Sequence, residues 1–581
     1  MKRLTQWIAL LTALLLLFCG CSKDGTTVSS TQTGADTDTV SVVSEQTGTE
    51  ASAPDSSALF SSRDLEGTYE AREAIAITLT GDTAVCDSSA VTVEGSTVTI
   101  TAAGTYVLSG SLADGTILVN ATKDDKIQLV LEGVEIHAED FAAIYVAQAD
   151  KVFITLAAGT INTLSNGGSY TQIDDNNVDA VIFSKEDLTL NGAGSLEISA
   201  PAGHGIVGKD DLVITGGSYE IEAASHAISG KDSLSISDGT FDLTAGKDAL
   251  HVENSDDTTL GNLYLGGGSY RLTADGDGAS ASGTLTVAGG SYTVSAGYSG
   301  NDTSTSQKGF KAESSLWIQG GSITVISADD AIHSNGDVTI TDGVLNLSSG
   351  DDGIHADQRV TISGGELTVS RSYEGIEGLN ITISGGTVSV TASDDGLNAG
   401  GGNDESGFGG RGGDAFGGNS NANLTISGGE LTVNAEGDGL DSNGELILAG
   451  GTVYVSGPTN NGNGALDYGT SATVTGGALV AAGSSGMAVN FQTGSTQGAI
   501  LLTVGSQAAG TTVTLTDSSG SVLLSYTPEK AYSSVNLTCP ALVLGETYTV
   551  TAGSFSQTVT LSSLIYGGGG MGGGMGGPGR R

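Results

Sequence analysis

Short runs in which apolar and polar residues alternate dominate the chain, as in residues 350–369, GDDGIHADQRVTISGGELTV. There Ile354, Val360, Ile362, Leu367 and Val369 fall on one side of the alternation, and Thr361, Glu366 and Thr368 on the other. A period of two marks half-buried strands, not helices. Gly364 and Gly365 separate two of the runs as a turn, and SGG, TGG, QGG or AGG recurs at the equivalent place elsewhere. Aligned on the small residue before a buried aliphatic, the pattern repeats at Gly205, Ala227, Ala249, Gly278, Gly309, Ala331, Gly353, Gly375, Gly396, Gly439 and Ala465. The spacings are 22, 22, 29, 31, 22, 22, 22, 21, 43 and 26, so one unit of 22 residues with loop insertions accounts for them all. Three strands and three turns in such a unit predict one coil of a parallel β-helix, an all-β solenoid. A leucine-rich repeat needs a different leucine frame, and a propeller blade is about twice as long. Each coil needs neighbours to bury its faces. After about Gln492 the unit fades into runs that read as ordinary antiparallel β, a small C-terminal β cap.

Equal positions of successive coils stack at about 4.8 Å. The residue before each anchor is His204, His226, Asp248, Asp277, Lys308, Asp330, Asp352, Glu374, Asp395 or Asp438, so the repeat predicts a carboxylate ladder along one edge. Asp329, Asp351 and Asp394 precede it, and two positions after the anchor stand His251, Lys311, His333, His355, Glu377, Asn398, Asp441 and Asp467. Adjacent like charges at that spacing repel by roughly 1 kcal/mol in water and about 3–4 kcal/mol near a low-dielectric surface, so the row needs a countercharge. Ca²⁺ suits it, because carboxylates and amide oxygens of several turns supply the oxygens it takes. The candidate metal ligands are Asp329, Asp330, Asp351, Asp352, Glu374, Glu377, Asp394, Asp395, Asn398, Asp438 and Asp441. The same residues also suit turns, where they hydrogen-bond their own backbone. His333 and His355 among carboxylates, without a cysteine or third histidine nearby, do not make a zinc set. Insertions at 255–259, 299–307 and 400–418 are assigned to this same edge, with the last a candidate lid. Tyr298, Phe310, Tyr373, Phe408 and Tyr468 are the aromatics near it, with Phe310 at an inward position.

Charge narrows the partners. The chain of 581 residues carries 21 basic and 66 acidic side chains, a net charge of −45, which excludes the clustered cations that nucleic-acid binding requires. Carboxylates in excess favour cations and hydroxyl-rich ligands. Residues 1–21, MKRLTQWIALLTALLLLFCGC, read as an export signal ending in a Gly20-Cys21 pair. That pair resembles a bacterial lipobox, so Cys21 is the expected lipidation site and the N-terminal lipid the only membrane contact, on the outer face of the cell membrane. Residues 22–62 have the Ser/Thr-rich composition of a disordered tether, 63–492 form the repeat domain, 493–565 the cap and 566–581 a glycine-rich tail. Cys86 and Cys539 are expected to be free thiols, and the protein a monomer.

The motifs ISADDAIHSNGDVTITDG, SSGDDGIHADQRVTISGG, SRSYEGIEGLNITISGG and TASDDGLNAGGG, with FSSRDLEGTY and GTYVLSG upstream, resemble a bacterial family of exported carbohydrate-binding proteins. The resemblance runs from about Ser61 to Tyr548. It implies a right-handed parallel β-helix similar to pectate lyases, bound calcium, and affinity for cellulose-like or acidic plant polysaccharides without established cleavage. Asp329-Asp330, Asp351-Asp352, Glu374, Glu377 and Asp394-Asp395 match its acidic motifs, while the metal assignments rest on the ladder. The leading expectation is therefore a non-catalytic surface lipoprotein that binds polysaccharide, with His333, His355, Lys311 and Tyr373 as ligand contacts. Two alternatives stand beside it. One is a calcium-dependent lyase using Arg371, Lys308 or Lys311 as base, and the other a structural or adhesive surface protein.

Overall fold

The computed structural model describes residues 56, 58–297, 306–400 and 421–568. The signal, Cys21, nearly all of the tether, Tyr298, Phe408, most of the glycine-rich insert and the C-terminal tail lie outside the described residues.

Among the described residues every regular element is a strand. Through the repeat the strands fall into three columns, each strand pairing in parallel with its counterpart in the next coil. In the first column Ser218–Ala223 pairs with Thr240–Ala245, then Ser269–Ala274, Ser291–Ala296, Ser322–Ser327 and Val344–Ser348. In the second, Ile228–Gly230 leads through Leu250–Val252, Ala279–Ala281 and Phe310–Ala312 to Ile332–Ser334. The third runs from Ser233–Ile236 through Asn262–Leu265, Thr284–Val287 and Ser315–Ile318 to Asp337–Ile340. Alternation decides which face is covered. Ile354, Val360, Ile362, Leu367 and Val369 are buried, while Glu366 is exposed.

The interior also holds an aromatic stack that the apolar pattern alone does not reveal. Tyr219, Phe241, Tyr270 and Tyr292 occupy one register position of the first column, with successive ring centres 5.0, 4.7 and 4.5 Å apart and planes within 9°. The tyrosine hydroxyls donate to the carbonyls of Gly216, Gly267 and Gly289 in the preceding turns. Buried phenols are thereby satisfied without opening the core.

The anchor column is small because the next coil passes directly over it. A Cβ on Gly375 would collide with the Gly396 carbonyl and with Val390 Cγ1, both parts of the packed stack. Gly375→Ala is expected to cost about 1–3 kcal/mol, the usual range for overpacking, measured as a fall in the guanidinium unfolding midpoint. The turn glycine Gly365 has φ +83°, a left-handed backbone that side chains resist.

Asp64 stands ahead of the first strand in the sequence. The first strand is Ile75–Gly81, paired in parallel with Gly104–Leu112. Asp64 is instead buried against later coils, its carboxylate taking the Lys151 ammonium at 2.9 Å and the Thr189 hydroxyl at 2.6 Å. At the other end Ala478–Gly483 pairs in parallel with Thr452–Ser456 and antiparallel with Tyr532–Thr538. A separate four-stranded antiparallel sheet holds Val513–Asp517, Val522–Tyr526, Thr547–Ala552 and Phe555–Thr560. Cys86 and Cys539 are free.

The insertions do not share one edge. Residues 299–307 interrupt the passage from the first column to the second, whereas 255–259 and 400–418 interrupt that from the second to the third. A three-strand coil has three corners, and a linear repeat does not say which one a loop leaves from.

Candidate functional site

The acidic positions lie where the first column turns into the second, and the structure gives them a backbone task. Each acceptor side chain takes the amide N–H of its counterpart one coil on. His226 N donates to His204 Nδ1 (3.3 Å), Asp248 N to His226 Nδ1 (3.1 Å), Asp277 N to Asp248 Oδ1 (2.8 Å) and Lys308 N to Asp277 Oδ1 (2.7 Å). Further along, Asp352 N donates to Asp330 Oδ1 (3.0 Å), Glu374 N to Asp352 Oδ1 (3.2 Å) and Asp438 N to Asp395 Oδ1 (2.5 Å). These amides sit at a corner where the strand ladder is interrupted, so an acceptor side chain satisfies them. Only one oxygen of each carboxylate is used this way. In Asp248, Asp330 and Asp352 the other oxygen meets the side chain three residues on.

Here the edge divides in two. In the earlier coils that neighbour is a base: His251 Nδ1 lies 2.7 Å from Asp248 Oδ2, His333 Nδ1 2.8 Å from Asp330 Oδ2 and His355 Nδ1 3.2 Å from Asp352 Oδ2. Lys308, with 0% of its side chain exposed, adds an ammonium 3.0 Å from Asp329 and 2.8 Å from Asp330. Burial works to raise the Asp330 pKa, yet Lys308 and His333 outweigh it and hold the group far below the usual carboxylate range. Burial likewise opposes charge on His355, but its hydrogen bonds to Asp352, Asp357 and Glu377 prevail and keep it protonated. The Lys308 ammonium thus supplies part of the countercharge at Asp329 and Asp330, while Asp329, Asp330 and Asp351 still offer carboxylate oxygens within 4.8 Å of one another.

In the later coils the same register position holds Glu377, Asn398 and Asp441 in sequence. Glu377 still reaches back to His355 Nδ1 at 2.8 Å. Glu374 meets only the amide of Asn398, at 3.0 and 3.2 Å, and burial with Glu377, Asp352 and Asp395 nearby drives its pKa well above the ordinary value. Burial, then Asp438, pushes Asp395 up to about 8. Asp438, Asp441 and Asp467 offer carboxylate oxygens within 4.8 Å of one another. Asn398 is 5% exposed, and its Oδ1 is buried without a hydrogen bond. An orphaned amide oxygen among closely spaced carboxylates is the donor set of a hard, oxygen-seeking cation, so the residues fit Ca²⁺.

The remaining sequence candidates separate clearly. Lys308 is locked between two carboxylates and cannot serve as a base. His333 and His355 are 1% exposed with both ring nitrogens engaged, His333 by Asp330 and Asn335 and His355 by Asp352 and Asp357, which corrects their reading as ligand contacts. Phe310 is core, and the Tyr468 hydroxyl is tied to the Asn490 carbonyl. Lys311 lines a different cavity, beside His251 and Asp277. Tyr373 is 38% exposed, at the register position that holds Asp351 one coil earlier and Asp394 one coil later. With the exposed Arg371 it lines a cavity of about 370 Å³ that also includes Ser393, Asn434 and Glu436. The far wall is braced from the C-terminal region, where Glu529 accepts from Asn434 at 2.8 Å and Lys530 reaches Glu436 at 3.4 Å. Asn434 and Glu436 escaped the sequence reading because they stand five and three positions before the Gly439 anchor, outside the columns the repeat aligns.

These features define an all-β stack of parallel coils with a polar, acid-lined edge. The family model described as carbohydrate-binding domain-containing protein matches residues 94–353 and 351–396, more than half of the chain, and the chain belongs to that family. A carbohydrate-binding domain-containing protein of Acetivibrio thermocellus is 41% identical over 128 residues, which is 22% of this chain and 45% of that protein. The chain therefore spans less than half the length of that relative. A solved structure described as the polysaccharide lyase-like protein from C. thermocellum, gadolinium derivative, is 29% identical and covers 50% of this chain and 96% of that one, with a TM-score of 0.36.

Proposed function

We propose that the chain binds a cellulose-like or polygalacturonate-type polysaccharide at the Arg371–Tyr373 cavity and the acid-rich coils next to it, without cleaving it. In this reading Ca²⁺ is held among Glu374, Asp394, Asp395, Asn398, Asp438 and Asp441. The observation that carries it is the juxtaposition of an exposed Tyr373 and Arg371 with the later coils, where carboxylates accumulate around the unpaired Asn398 Oδ1. Tyrosine offers a flat apolar face for a sugar ring, Arg371 a fork for a uronate carboxylate, and Asn434 and Glu436 partners for hydroxyls. Ca²⁺ when bound neutralises the acid row and bridges to a uronate. The family description supports sugar as the ligand.

The same proposal takes the coils as right-handed with a 22-residue repeat closed by a C-terminal cap. It places the protein, as a monomer, outside the cell, anchored through lipid on Cys21 at the end of a flexible tether. The mass of the mature N-terminus tests that anchor.

The binding test is retention on insoluble cellulose and on polygalacturonate, with Ca²⁺ and with EDTA, while absorbance of unsaturated product is followed. Calcium-dependent retention without product is expected, and Arg371→Ala should weaken it about tenfold on polygalacturonate, as loss of a charge-assisted hydrogen bond implies. Product formation abolished by Arg371→Ala would establish the lyase instead. No retention on either polymer would refute the polysaccharide reading.

A further inference from the structure

Upstream of the acid-rich coils, three imidazoles stack across successive coils. His204 lies on His226 with ring centres 5.1 Å apart and planes 16° apart, and His226 on His251 at 3.9 Å and 13°. Asp248 stands at the join, its Oδ2 2.7 Å from His251 Nδ1 and 3.4 Å from His226 Nδ1. One ligand atom from each of His226, Asp248 and His251 falls within 4.8 Å of the other two. Ligands at about 2.0–2.2 Å around a tetrahedral ion are themselves roughly 3.3–3.6 Å apart. The 4.8 Å limit on the cluster lies above those edges, so an ion would draw the three groups together.

Two contrasts single the cluster out. Both nitrogens of His333 are spent on Asp330 and Asn335 in the interior, whereas His226 uses Nδ1 for the Asp248 amide and leaves Nε2 without a hydrogen bond, and His251 has Nδ1 on Asp248 and Nε2 3.4 Å from Glu253 at the cavity. His226, Asp248 and His251 also open on a cavity of about 710 Å³ lined further by Asp277, Ser280 and Lys311. At the His204 end, Asp179 lies 3.9 Å from His204 Nε2, and its other oxygen, Oδ1, is buried without a hydrogen bond. Imidazoles with a single carboxylate suit a borderline divalent cation and are a poor site for Ca²⁺, which takes six to eight oxygens.

We propose that His226, Asp248 and His251 bind a zinc-class divalent ion, with its remaining coordination position open to the cavity. This site is independent of the calcium and polysaccharide reading. Its ligands come from two adjacent coils, so the ion also clamps one coil to the next.

The test is a Co²⁺ titration of the full chain in saturating Ca²⁺, Co²⁺ being a spectroscopic stand-in for Zn²⁺. One Co²⁺ with the strong visible bands of four- or five-coordination is expected, displaced by Zn²⁺. His226→Ala and His251→Ala should each weaken it on the order of 100-fold, since losing a partner outside the ligand set already costs about 10–100-fold. His137→Ala, at a histidine on a different strand, should leave it unchanged. If a variant does not fold, Cu²⁺ electron paramagnetic resonance on the unaltered chain decides, with coupling to two imidazole nitrogens expected. Weak six-coordinate Co²⁺ bands, a titration indifferent to both histidine variants, or a Cu²⁺ spectrum without nitrogen coupling would each overturn the proposal.

Discussion

Lys308→Met is expected to lower unfolding free energy by about 3–5 kcal/mol, the cost of leaving buried charge without its partner. Methionine nearly matches the shape of lysine, so packing is preserved and the loss reports the ammonium. That group lies within 3.0 Å of both Asp329 and Asp330, and neither its own side chain nor that of Asp330 reaches solvent. The pH dependence separates this cause from a packing defect. Against burial, Lys308 and His333 hold the folded pKa of Asp330 below the ordinary 3.8, so its contribution is present above that value and is lost as pH falls toward the folded pKa. Denaturant midpoints of wild type and variant should therefore converge as pH is lowered below about 4. Adding Asp329→Asn and Asp330→Asn to Lys308→Met should recover part of the loss, because an apolar–neutral set carries no stranded charge. A gap that persists unchanged at low pH would show the effect to be steric.

Calcium-free protein should lose stability as pH rises from about 4 to about 8, and saturating Ca²⁺ should abolish that loss. Burial, then Asp438, pushes Asp395 up to about 8 from the ordinary 3.8. A group shifted upward binds more protons folded than unfolded, so its stabilisation is complete below the unfolded value and disappears as pH climbs through the folded one. Glu374, also raised, adds in the same direction. If a cation takes the place of those protons, its stabilisation grows with pH, because the ligands must be ionised. Melting curves at pH 5 and pH 8.5, each with EDTA and with Ca²⁺, measure this. Ca²⁺ at 100 times its Kd adds about 2.7 kcal/mol. Identical melts at pH 8.5 with and without Ca²⁺ would remove the metal from these coils, and Asp395→Asn should flatten the pH slope of the EDTA series.

The two halves of the edge look alike in the repeat and differ in the partners each acid meets. Asp330, Asp352 and Asp395 occupy one aligned position, yet the first is paired with Lys308 and His333, the second with His355, and the third has Asn398 in the place of a base. Aligning Lys308 into the column was enough to see that it lay near the acids. Its burial could not be read, because the side chain crosses to the next coil, 22 residues on. Asp64 shows the same limit at longer range, since its hydroxyl partner is Thr189.

The sequence by itself determined the coil. A period of two, anchors of glycine or alanine and a 22-residue spacing are local properties, and the buried Ile354, Val360 and Leu367 follow from them. It also placed the acids in a column, since a repeat stacks like on like. Only the tertiary structure decided what each acid does. The amide N–H one coil on donates to any acceptor at that corner, so a place in the column does not by itself make an acid a metal ligand. Countercharge depends on which side chain the adjoining coil presents, and that is settled by contacts between coils.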